Sequence, residues 1–359
     1  MRIAVLRKFA CLGLFSVIFN GCSLNIPPPD QFSDPDAITT VATARSFLTS
    51  AYRSYPHYEY ELSILGADFA PNSLTNKDMD LQNFYRWQDS SISKFATDVW
   101  LSFYNTIALC DVLLERIKYV QVETDIQMKD KSIIEAETKI LRSMCYFNLL
   151  RLFAPAYDRN PDADGIVLKT KVGLEFPKRT SIRICVETIR NWLLEASTVD
   201  NVPQQNGWFS QKAAYYLLAE LELYAGNYLE AARYAEILLS DVKDRYFTSE
   251  GIERTWAEQS YAGRIFAFYT NNTYYTGLLY EKEKGDFFIV NPDIVYDEKD
   301  LRKPYYLYPF NMSGKDCNLL GKYNLNNRKE KKSVYVNMMR YSGAYFIAAE
   351  AYSRISDKE

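Results

Sequence analysis

Residues 210–240 read SQKAAYYLLAELELYAGNYLEAARYAEILLS, and this stretch decides the fold class of the chain. Apolar side chains recur every three or four residues on both sides of Gly226-Asn227, a pair typical of a helix end. The pattern predicts a helix from Ser210 to Ala225 and a second from Tyr228 to Ser240. Small residues occupy the positions where two antiparallel helices would touch: Ala219, Gly226, Ala231 and Ala235.

Similar helical patterns extend over most of the chain, which has 359 residues. Apolar stripes predict helices at 37–54, 99–117, 132–153 and 180–196. Together with 210–240, their pairing resembles a series of tetratricopeptide helix–turn–helix units. We therefore expect a mostly α fold, in which tetratricopeptide-like helix pairs form a right-handed helical scaffold.

The character of the sequence changes at residue 245, where Tyr, Asn, Gly and Pro begin to interrupt the helical pattern. The apolar runs Ile265–Tyr269 and Phe287–Val290 predict short strands. Residues 333–356 return to a helical pattern, and we expect no partner for that last helix. The predicted organisation is a signal peptide at 1–21, a Pro-rich spacer at 22–36, a helical region at 37–244, a loop-rich ligand-binding subdomain at 245–335, and an incomplete last helical unit starting at 336 and running to 359.

The first 22 residues have the pattern of a bacterial lipoprotein leader. A basic start, the apolar run Phe9–Phe19 and Gly21 before Cys22 are typical of a secretory signal. The apolar run is too short to cross a bilayer, which takes roughly 20 residues. We therefore expect a lipid anchor on Cys22, with the prolines of 22–36 holding the folded body off the membrane. The alternative is an ordinary signal peptide that happens to contain a Cys.

Composition excludes several classes of function. Loss of 1–21 would change the formal charge from −3 to −6, and nucleic-acid binding instead needs a basic surface. His57 is the single His, which excludes zinc sites built on several His ligands. The cysteines Cys110, Cys145 and Cys185 are predicted to be small buried apolar residues. A disulfide among them is the alternative in an oxidising compartment.

The sequence contains no nucleotide-binding or catalytic motif. Gly314-Lys315 and Gly321-Lys322 lack the upstream glycines of a phosphate-binding loop. The carboxylate pairs Asp78/Asp80 and Asp297/Asp300 are the minimum for glycoside hydrolysis, but a chain with 45 acidic residues contains such pairs by chance. We predict that the protein is not an enzyme and needs no cofactor. Loop Asp and Asn residues leave a structural calcium ion as an alternative, although no EF-hand spacing is present.

The positive signal for function is aromatic, with 29 Tyr, 20 Phe and 5 Trp. Several of these residues fall in polar loops, where burial in a helical core is a poor explanation. A flat ring with a polar edge suits the apolar face and hydroxyl rim of a sugar, and it also suits a peptide. The alternative is that the loops pack their own aromatics into small satellite cores. The loop aromatics are Tyr58, Tyr60, Tyr85, Trp87, Trp208, Trp256, Tyr274, Tyr275, Tyr305 and Tyr306.

Several short motifs follow one another along the chain. They are Trp100-x-x-x-Tyr104-x-x-Ile107 with Cys110-Asp111; Glu137-x-Lys139-x-Leu141-Arg142 with Tyr146-Phe147; Gly165-Ile166-Val167-Leu168 with Pro177-x-Arg179-Thr180; the 210–240 pair; Asp300-Leu301-Arg302; and Arg340-Tyr341 with Ala349-Glu350-Ala351. Together they resemble the SusD/RagB family of nutrient-binding outer-membrane lipoproteins. Asp111 departs from the pattern, because the family usually has Asn at that position.

The resemblance implies an outer-membrane lipoprotein that binds an oligomeric nutrient, most often a glycan and in some members a peptide. It implies delivery of that nutrient to a SusC-like TonB-dependent transporter, with the protein facing outward and no chemical step. By position, the ligand contacts fall in two segments, one before the Trp100 helix and one in the loop-rich subdomain. The candidate ligand-binding residues are Asp68, Tyr85, Trp87, Trp256, Tyr274, Tyr275, Tyr305 and Tyr306.

Two rival hypotheses remain at this stage. A tetratricopeptide-type periplasmic scaffold lipoprotein would bind protein partners through a concave helical face. It would leave the loop aromatics of 256–306 without a role. A mostly helical glycoside hydrolase would need two carboxylates facing one cleft.

Overall fold

The structure is a computed structural model, and it describes residues 38–71, 79–169, 171–173, 175–240, 242–258, 260–270, 288–312, 314–320 and 334–356. The signal peptide, the spacer, Cys22, Tyr274 and Tyr275 therefore lie outside the described residues. None of the helices in the described part of the chain combines the length and the apolar character needed to span a bilayer.

Helices dominate the described residues, as the sequence predicts. Their bounds are Val41–Arg53 (α1), Glu59–Leu65 (α2), Met79–Tyr85 (α3), Asp89–Arg116 (α4), Asp125–Phe153 (α5), Ile182–Ser197 (α6), Gln211–Tyr224 (α7), Tyr228–Leu239 (α8), Ser249–Ala257 (α9), Lys303–Tyr306 (α10) and Tyr341–Ser356 (α11). Short 3-10 turns cover Ile117–Tyr119 and Asp244–Phe247.

Successive long helices pack side by side, which confirms a mostly helical fold. Helix α1 contacts α4 and α5, and from α4 to α8 each helix packs on the next. Stretch 210–240 forms α7 and α8, whose contact is lined by the fully buried Ala219, Ala231 and Ala235. Gly226 ends α7 with φ +74°, a conformation that glycine adopts without strain. The predicted small-residue contact is therefore confirmed.

Buried ion pairs cross the helix contacts of this scaffold. Arg45 of α1 donates to Glu137 of α5 at 2.8 Å, and the hydroxyl of Tyr52 donates to the same carboxylate at 2.9 Å. Arg190 of α6 and Glu222 of α7 form a two-bond pair whose carboxylate is 3% exposed. Because a buried charge is costly unless it is paired, these contacts fix which helix faces meet.

The region after α8 mixes short strands with loops. The strands of this region are β2 at Arg264–Thr270, β3 at Phe288–Val290, β4 at Leu307–Met312, β5 at Lys315–Leu320 and β6 at Val334–Arg340. One further strand, β1 at Phe69–Pro71, lies earlier in the chain between α2 and α3. Together the strands form three antiparallel pairs, β1–β3, β2–β6 and β4–β5. The predicted strands near 265–269 and 287–290 are thus present as β2 and β3.

An aromatic core joins these strands to the helices. Phe209 and Phe266 stack with ring centroids 4.0 Å apart, and Tyr55 stacks on Phe268 at 4.4 Å. The hydroxyl of Tyr52 accepts a hydrogen bond from the Phe209 amide at 2.9 Å. Strand β2 is consequently anchored on α1 and on the segment before α7, which gives the loop-rich region a rigid base.

Two expectations for the C-terminal part are wrong. Residues 334–340 form strand β6 rather than the start of a helix, because β-branched and aromatic residues there pair with β2 from Arg264 to Thr270. The last helix, α11, is also not without a partner, since its buried side packs on α8 and α7. Tyr345, Phe346 and Tyr352 of α11 are exposed, and the Tyr352 hydroxyl donates to Glu236 of α8.

The cysteines in the helices match their prediction. Cys110, Cys145 and Cys185 are buried and free, and burial raises the pKa of each thiol. No disulfide joins the cysteines of the described residues. They fill space in the helical core as small apolar groups.

Candidate ligand-binding site

Two short helices before α4 end with the same hydrogen-bonded turn. After α2, the Ala67 amide donates to Ile64 and the Asp68 amide to Ser63. After α3, the Trp87 amide donates to Phe84 and the next amide, of residue 88, to Asn83. This is the six-residue closing motif that usually places glycine at the left-handed position.

Here that left-handed position carries side chains. Ala67 has φ +62° and Trp87 has φ +57°. The left-handed conformation costs a residue with a Cβ about 1–2 kcal/mol, and such strain collects at functional sites. Trp87 nevertheless remains 58% exposed, and its indole N–H donates to the Leu65 carbonyl at 3.3 Å. The turn therefore exposes a large aromatic ring to solvent, and the hydrogen bond to Leu65 fixes the orientation of that ring.

Strand pairing brings a distant segment to the same place. β1 and β3 pair from Phe69 opposite Val290 to Pro71 opposite Phe288. Directly after β3, the Asn291 amide donates to the Asp68 carbonyl at 3.0 Å, and its side-chain NH2 donates to the Ala67 carbonyl at 3.1 Å. The exposed Asp68 side chain thus lies beside residues more than 200 positions later in the chain.

A row of aromatic rings continues from this point. Tyr296 and Tyr306 make an edge contact with centroids 6.3 Å apart, and Tyr306 makes another with Trp256 at 6.3 Å. The pKa of Tyr296 is raised by burial and further by nearby Tyr306, Asp300 and Asp68, with Arg302 opposing these effects. Asp68 is therefore close enough to Tyr296 for their charges to interact. We call Asp68, Trp87, Asn291, Tyr296 and Tyr306 the binding face.

A cavity of about 340 Å³ opens at the far end of the ring row. Trp256, which is only 6% exposed, forms part of its wall, and Tyr306 belongs to both the cavity and the binding face. Aromatic and aliphatic side chains make up half of the lining residues, with three charged residues among the others. The lining residues are Tyr246, Phe247, Ile252, Thr255, Trp256, Gly263, Asp300, Leu301, Arg302, Tyr306, Arg340 and Ser342.

The carboxylate in the cavity wall is held as an anion. Arg302 donates to both oxygens of Asp300, at 2.6 to 3.1 Å, and these hydrogen bonds lower the pKa of Asp300. A general acid for sugar hydrolysis needs a raised pKa instead. Within the described ranges, no group of three or more His, Cys, Asp or Glu is placed to hold a metal ion. Asp300 is therefore unsuited to act as the general acid of sugar hydrolysis.

The structure brings several sequence-predicted residues together. Asp68, Trp87 and Tyr306 lie on the binding face, while Trp256 is joined to it through its contact with Tyr306. Tyr85 and Tyr305 are half-buried and directly adjoin this surface in sequence. Their roles in binding stay predictions.

Sequence reasoning missed Asn291, Tyr296 and Arg340. The first two follow the predicted strand at 287–290 within a few residues, so the strand pairing, once known, would have indicated them. Arg340 was noted only as part of a family motif. Two loop aromatics instead pack on the scaffold: Tyr58 donates to Ser102 at 3.0 Å, and Trp208 makes an edge contact with Tyr52.

Comparisons with known proteins agree with this architecture. The family model SusD-like_3, described as starch-binding associating with outer membrane, matches residues 27–223. A comparison with curated protein sequences finds no match.

Solved structures share the fold. A SusD superfamily protein from Bacteroides thetaiotaomicron VPI-5482 has 20% identity and a TM-score of 0.72, covering 89% of this chain and 77% of the other. A SusD-like carbohydrate binding protein from Bacteroides vulgatus ATCC 8482 has 20% identity and a TM-score of 0.68, covering 89% and 73%. A laminarin binding SusD-like protein has 20% identity and a TM-score of 0.64, covering 88% and 80%.

The family match spans more than half of the chain, and its motifs fall on the helices that build the scaffold. The solved structures repeat that scaffold together with its strand-and-loop region. This chain belongs to the SusD/RagB family.

Proposed function

We propose that this protein is a lipid-anchored protein of the outer membrane that binds glycan at the binding face and delivers it to a SusC-like TonB-dependent transporter. The anchor is Cys22, the protein faces outward, and no covalent chemistry takes place. Binding at the face involves the rings of Trp87, Tyr296 and Tyr306 and the polar groups of Asp68 and Asn291.

One observation carries the binding part of this proposal. The β1–β3 pair joins two segments far apart in the sequence, and each contributes aromatic and polar side chains to one surface. Core packing does not require an exposed Trp at φ +57°, and it gains little from one. A sugar ring, which offers an apolar face and a rim of hydroxyls, matches a flat ring flanked by a carboxylate and an amide.

The identity of the bound glycan can be tested with polysaccharide probes. Laminarin and starch, the two glycans that appear in the descriptions of similar proteins, are the first, followed by pectin and a panel of plant and host glycans. Affinity gel electrophoresis and isothermal titration calorimetry of the protein should identify at least one that binds. Trp87→Ala should weaken that binding at least about tenfold, which is about 1.4 kcal/mol.

A matched control is available in Phe176→Ala. Phe176 is 88% exposed and lies in the loop before α6, and no described contact joins it to the residues of the binding face. Its removal should leave the affinity unchanged. If Trp87→Ala lowers the melting temperature sharply and leaves affinity unchanged, Trp87 is a packing residue and the proposed site is wrong.

The association of this protein with a transporter is tested in native membranes. The tagged, full-length protein is extracted in mild detergent, and co-purifying proteins are identified by mass spectrometry. Recovery of a large TonB-dependent barrel in near-equal amount is the expected result. Recovery with periplasmic assembly factors instead would favour a scaffold lipoprotein and contradict the delivery role.

A further inference from the structure

We propose that the cavity beside Trp256 accepts a sugar residue that carries a negative charge, either a carboxylate or a sulfate ester. The inference rests on the proposed function, and it names the class of glycan that this end of the site selects. It follows from the charges of the cavity wall, from their surroundings and from the shape of the space.

The cavity wall carries one more positive charge than negative charge. Its charged residues are Asp300, Arg302 and Arg340. Asp300 and Arg302 neutralise each other in a close ion pair at 2.6 Å. Arg340 contacts the Trp256 ring, with its guanidinium carbon 5.3 Å from the centroid, and donates to the Tyr306 hydroxyl at 3.4 Å. No carboxylate of the described residues forms an ion pair with Arg340.

A second guanidinium group lies beside Arg340. Arg264 lies directly opposite it in the β2–β6 pair, is 2% exposed, and donates to the carbonyls of Thr255 and Glu258. Arg340 and Ser342 flank the first residue of α11, so the positive end of that helix dipole lies at the cavity wall. A cation in such a place attracts an anion more strongly than a cation on an open surface does.

The shape of the space fits a sugar better than a bare ion. Small-molecule pockets typically have volumes of about 300–1,000 Å³ and are mainly apolar with a few fixed polar groups. At about 340 Å³, with Tyr246, Phe247 and Trp256 in its wall, the cavity has room for a sugar ring. The planar guanidinium of Arg340 offers paired N–H donors, which match the two oxygens of a carboxylate or a sulfate.

The first test uses the unaltered protein. Binding of D-galacturonate, D-galactose 6-sulfate and D-galactose is measured by saturation-transfer NMR and calorimetry at low ionic strength and neutral pH. One or both charged sugars should bind at least about tenfold more tightly than galactose. That preference should shrink in 0.5 M salt, because salt screens charge pairs. Comparing the affinities for D-galacturonate and D-galactose 6-sulfate also shows whether the cavity prefers a carboxylate or a sulfate ester.

The second test uses two variants that lose the same charge. Arg340→Gln should abolish the preference for the charged sugar while leaving the weak binding of galactose. Arg254→Gln is the matched control, because Arg254 lies on α9, forms its ion pair with Glu258 and does not line the cavity. The control should keep the full preference, which would exclude a general effect of net charge. If Arg340→Gln does not fold, the salt-sensitive preference of the unaltered protein still decides the question.

The outcomes separate this inference from the proposed function. Equal binding of all three sugars, or a preference that survives in Arg340→Gln, overturns the inference. In that case the proposed function still stands if a polysaccharide binds and Trp87→Ala weakens it. If no polysaccharide binds and no sugar enters the cavity, both are wrong.

Discussion

The α7–α8 turn of the scaffold and the two turns of the binding face close their helices with the same hydrogen bonds but with different residues. In the scaffold, Gly226 takes the left-handed position at φ +74°, where it has no Cβ to strain. In the two turns beside the proposed site, Ala67 and Trp87 take that position at φ +62° and +57°. The scaffold turn avoids strain, whereas these two turns contain it, and at Trp87 the strained residue carries an exposed ring.

The same contrast holds for charge. Arg45 and Arg190 in the scaffold each meet a buried carboxylate from another helix. Arg340 in the cavity wall meets an aromatic ring and a hydroxyl instead. Both scaffold arginines therefore have a partner within the protein, whereas we propose that Arg340 finds its partner in the ligand.

The largest expected effect comes from breaking a scaffold pair. Arg45→Met leaves the carboxylate of Glu137, which is 2% exposed, without its cation. We expect a loss of about 3 kcal/mol in the free energy of unfolding at pH 7.5, measured by urea denaturation. Burial already raises the pKa of Glu137, and Arg45 opposes that rise. Without Arg45 the carboxyl group takes up a proton more easily, so the loss should be smaller at pH 5.

The exposed pair of Arg183 and Asp162 provides the control. It has similar bond lengths, 2.9 and 3.1 Å, but lies on the surface. Arg183→Met should therefore leave stability unchanged, since exposed pairs contribute little. Equal losses in the two variants would show that burial does not distinguish the scaffold pairs.

The second-largest loss of stability is expected from Gly251→Ala and should be confined to the strand-and-loop region. A Cβ on Gly251 of α9 would lie 2.5 Å from the Arg245 carbonyl and 2.6 Å from the Tyr246 carbonyl. Backbone cannot yield as a flexible side chain can, so Gly251→Ala should cost about 2 kcal/mol. It should also displace the wall that Tyr246 and Phe247 give the cavity and weaken glycan binding.

Hydrogen exchange should locate that damage. Amides of 242–258 should lose protection in Gly251→Ala, while those of α4 to α7 keep it. Gly207→Ala is the matched control, because its Cβ would meet only the Ala267 carbonyl, at 4.0 Å. Loss of protection throughout the helices would mean that the two regions unfold as one unit.

The helices of the scaffold could be predicted from the sequence because the residues that determine each helix lie close together in the chain. The predicted helix from Ser210 to Ala225 is observed at Gln211–Tyr224, and the next helix agrees within a residue. Periodicity, Gly226 and the small contact residues all lie within one short stretch. The predicted helix at 99–117 instead starts at Asp89, since the polar residues of its first turns hide the apolar stripe.

The binding face was only partly readable because long-range pairing builds it. Asp68 and Trp87 were predicted from family position, and Tyr306 from its loop context. No local pattern could place Asn291 against Ala67, because that contact depends on β1 pairing with β3. For the same reason β6 was mistaken for helix, since its partner β2 lies more than 60 residues earlier.

The third prediction uses glycine variants to separate the cost of backbone strain from the contribution of the Trp87 ring to glycan affinity. Ala67→Gly and Trp87→Gly both place glycine at a left-handed position. Ala67→Gly should raise stability by about 0.5–1 kcal/mol. In Trp87→Gly the loss of the partly buried ring and of its hydrogen bond to Leu65 should offset part of that gain. Only Trp87→Gly removes the ring, so only that variant should lose glycan affinity. Thermal melts and calorimetry on the two variants give both quantities. Equal affinities would mean that the strained turn does not serve the ligand.

The last effect depends on pH and concerns Asp111, which stands where the family resemblance has Asn. Its carboxylate is 8% exposed and lies 2.8 Å from Nε of Arg142. Burial raises the pKa of Asp111 from 3.8 to about 6, although Arg142 and Lys169 oppose the rise. A carboxyl group with a raised pKa binds its proton more tightly in the folded state. Its contribution to stability is therefore complete below pH 4 and is lost as the pH rises through about 6.

Asp111→Asn should remove that pH dependence. Between pH 5 and pH 7 the unaltered protein should lose about 1 kcal/mol more in the free energy of unfolding than the variant does. Asp162→Asn is the control, because hydrogen bonds from Arg183 lower the pKa of that exposed carboxyl group, which places its titration below this range. Identical pH profiles for all three proteins would mean that Arg142 fully compensates the burial of Asp111. The Arg142–Asp111 pair would then resemble the Arg45–Glu137 pair, and the contrast with Arg340 would be sharper.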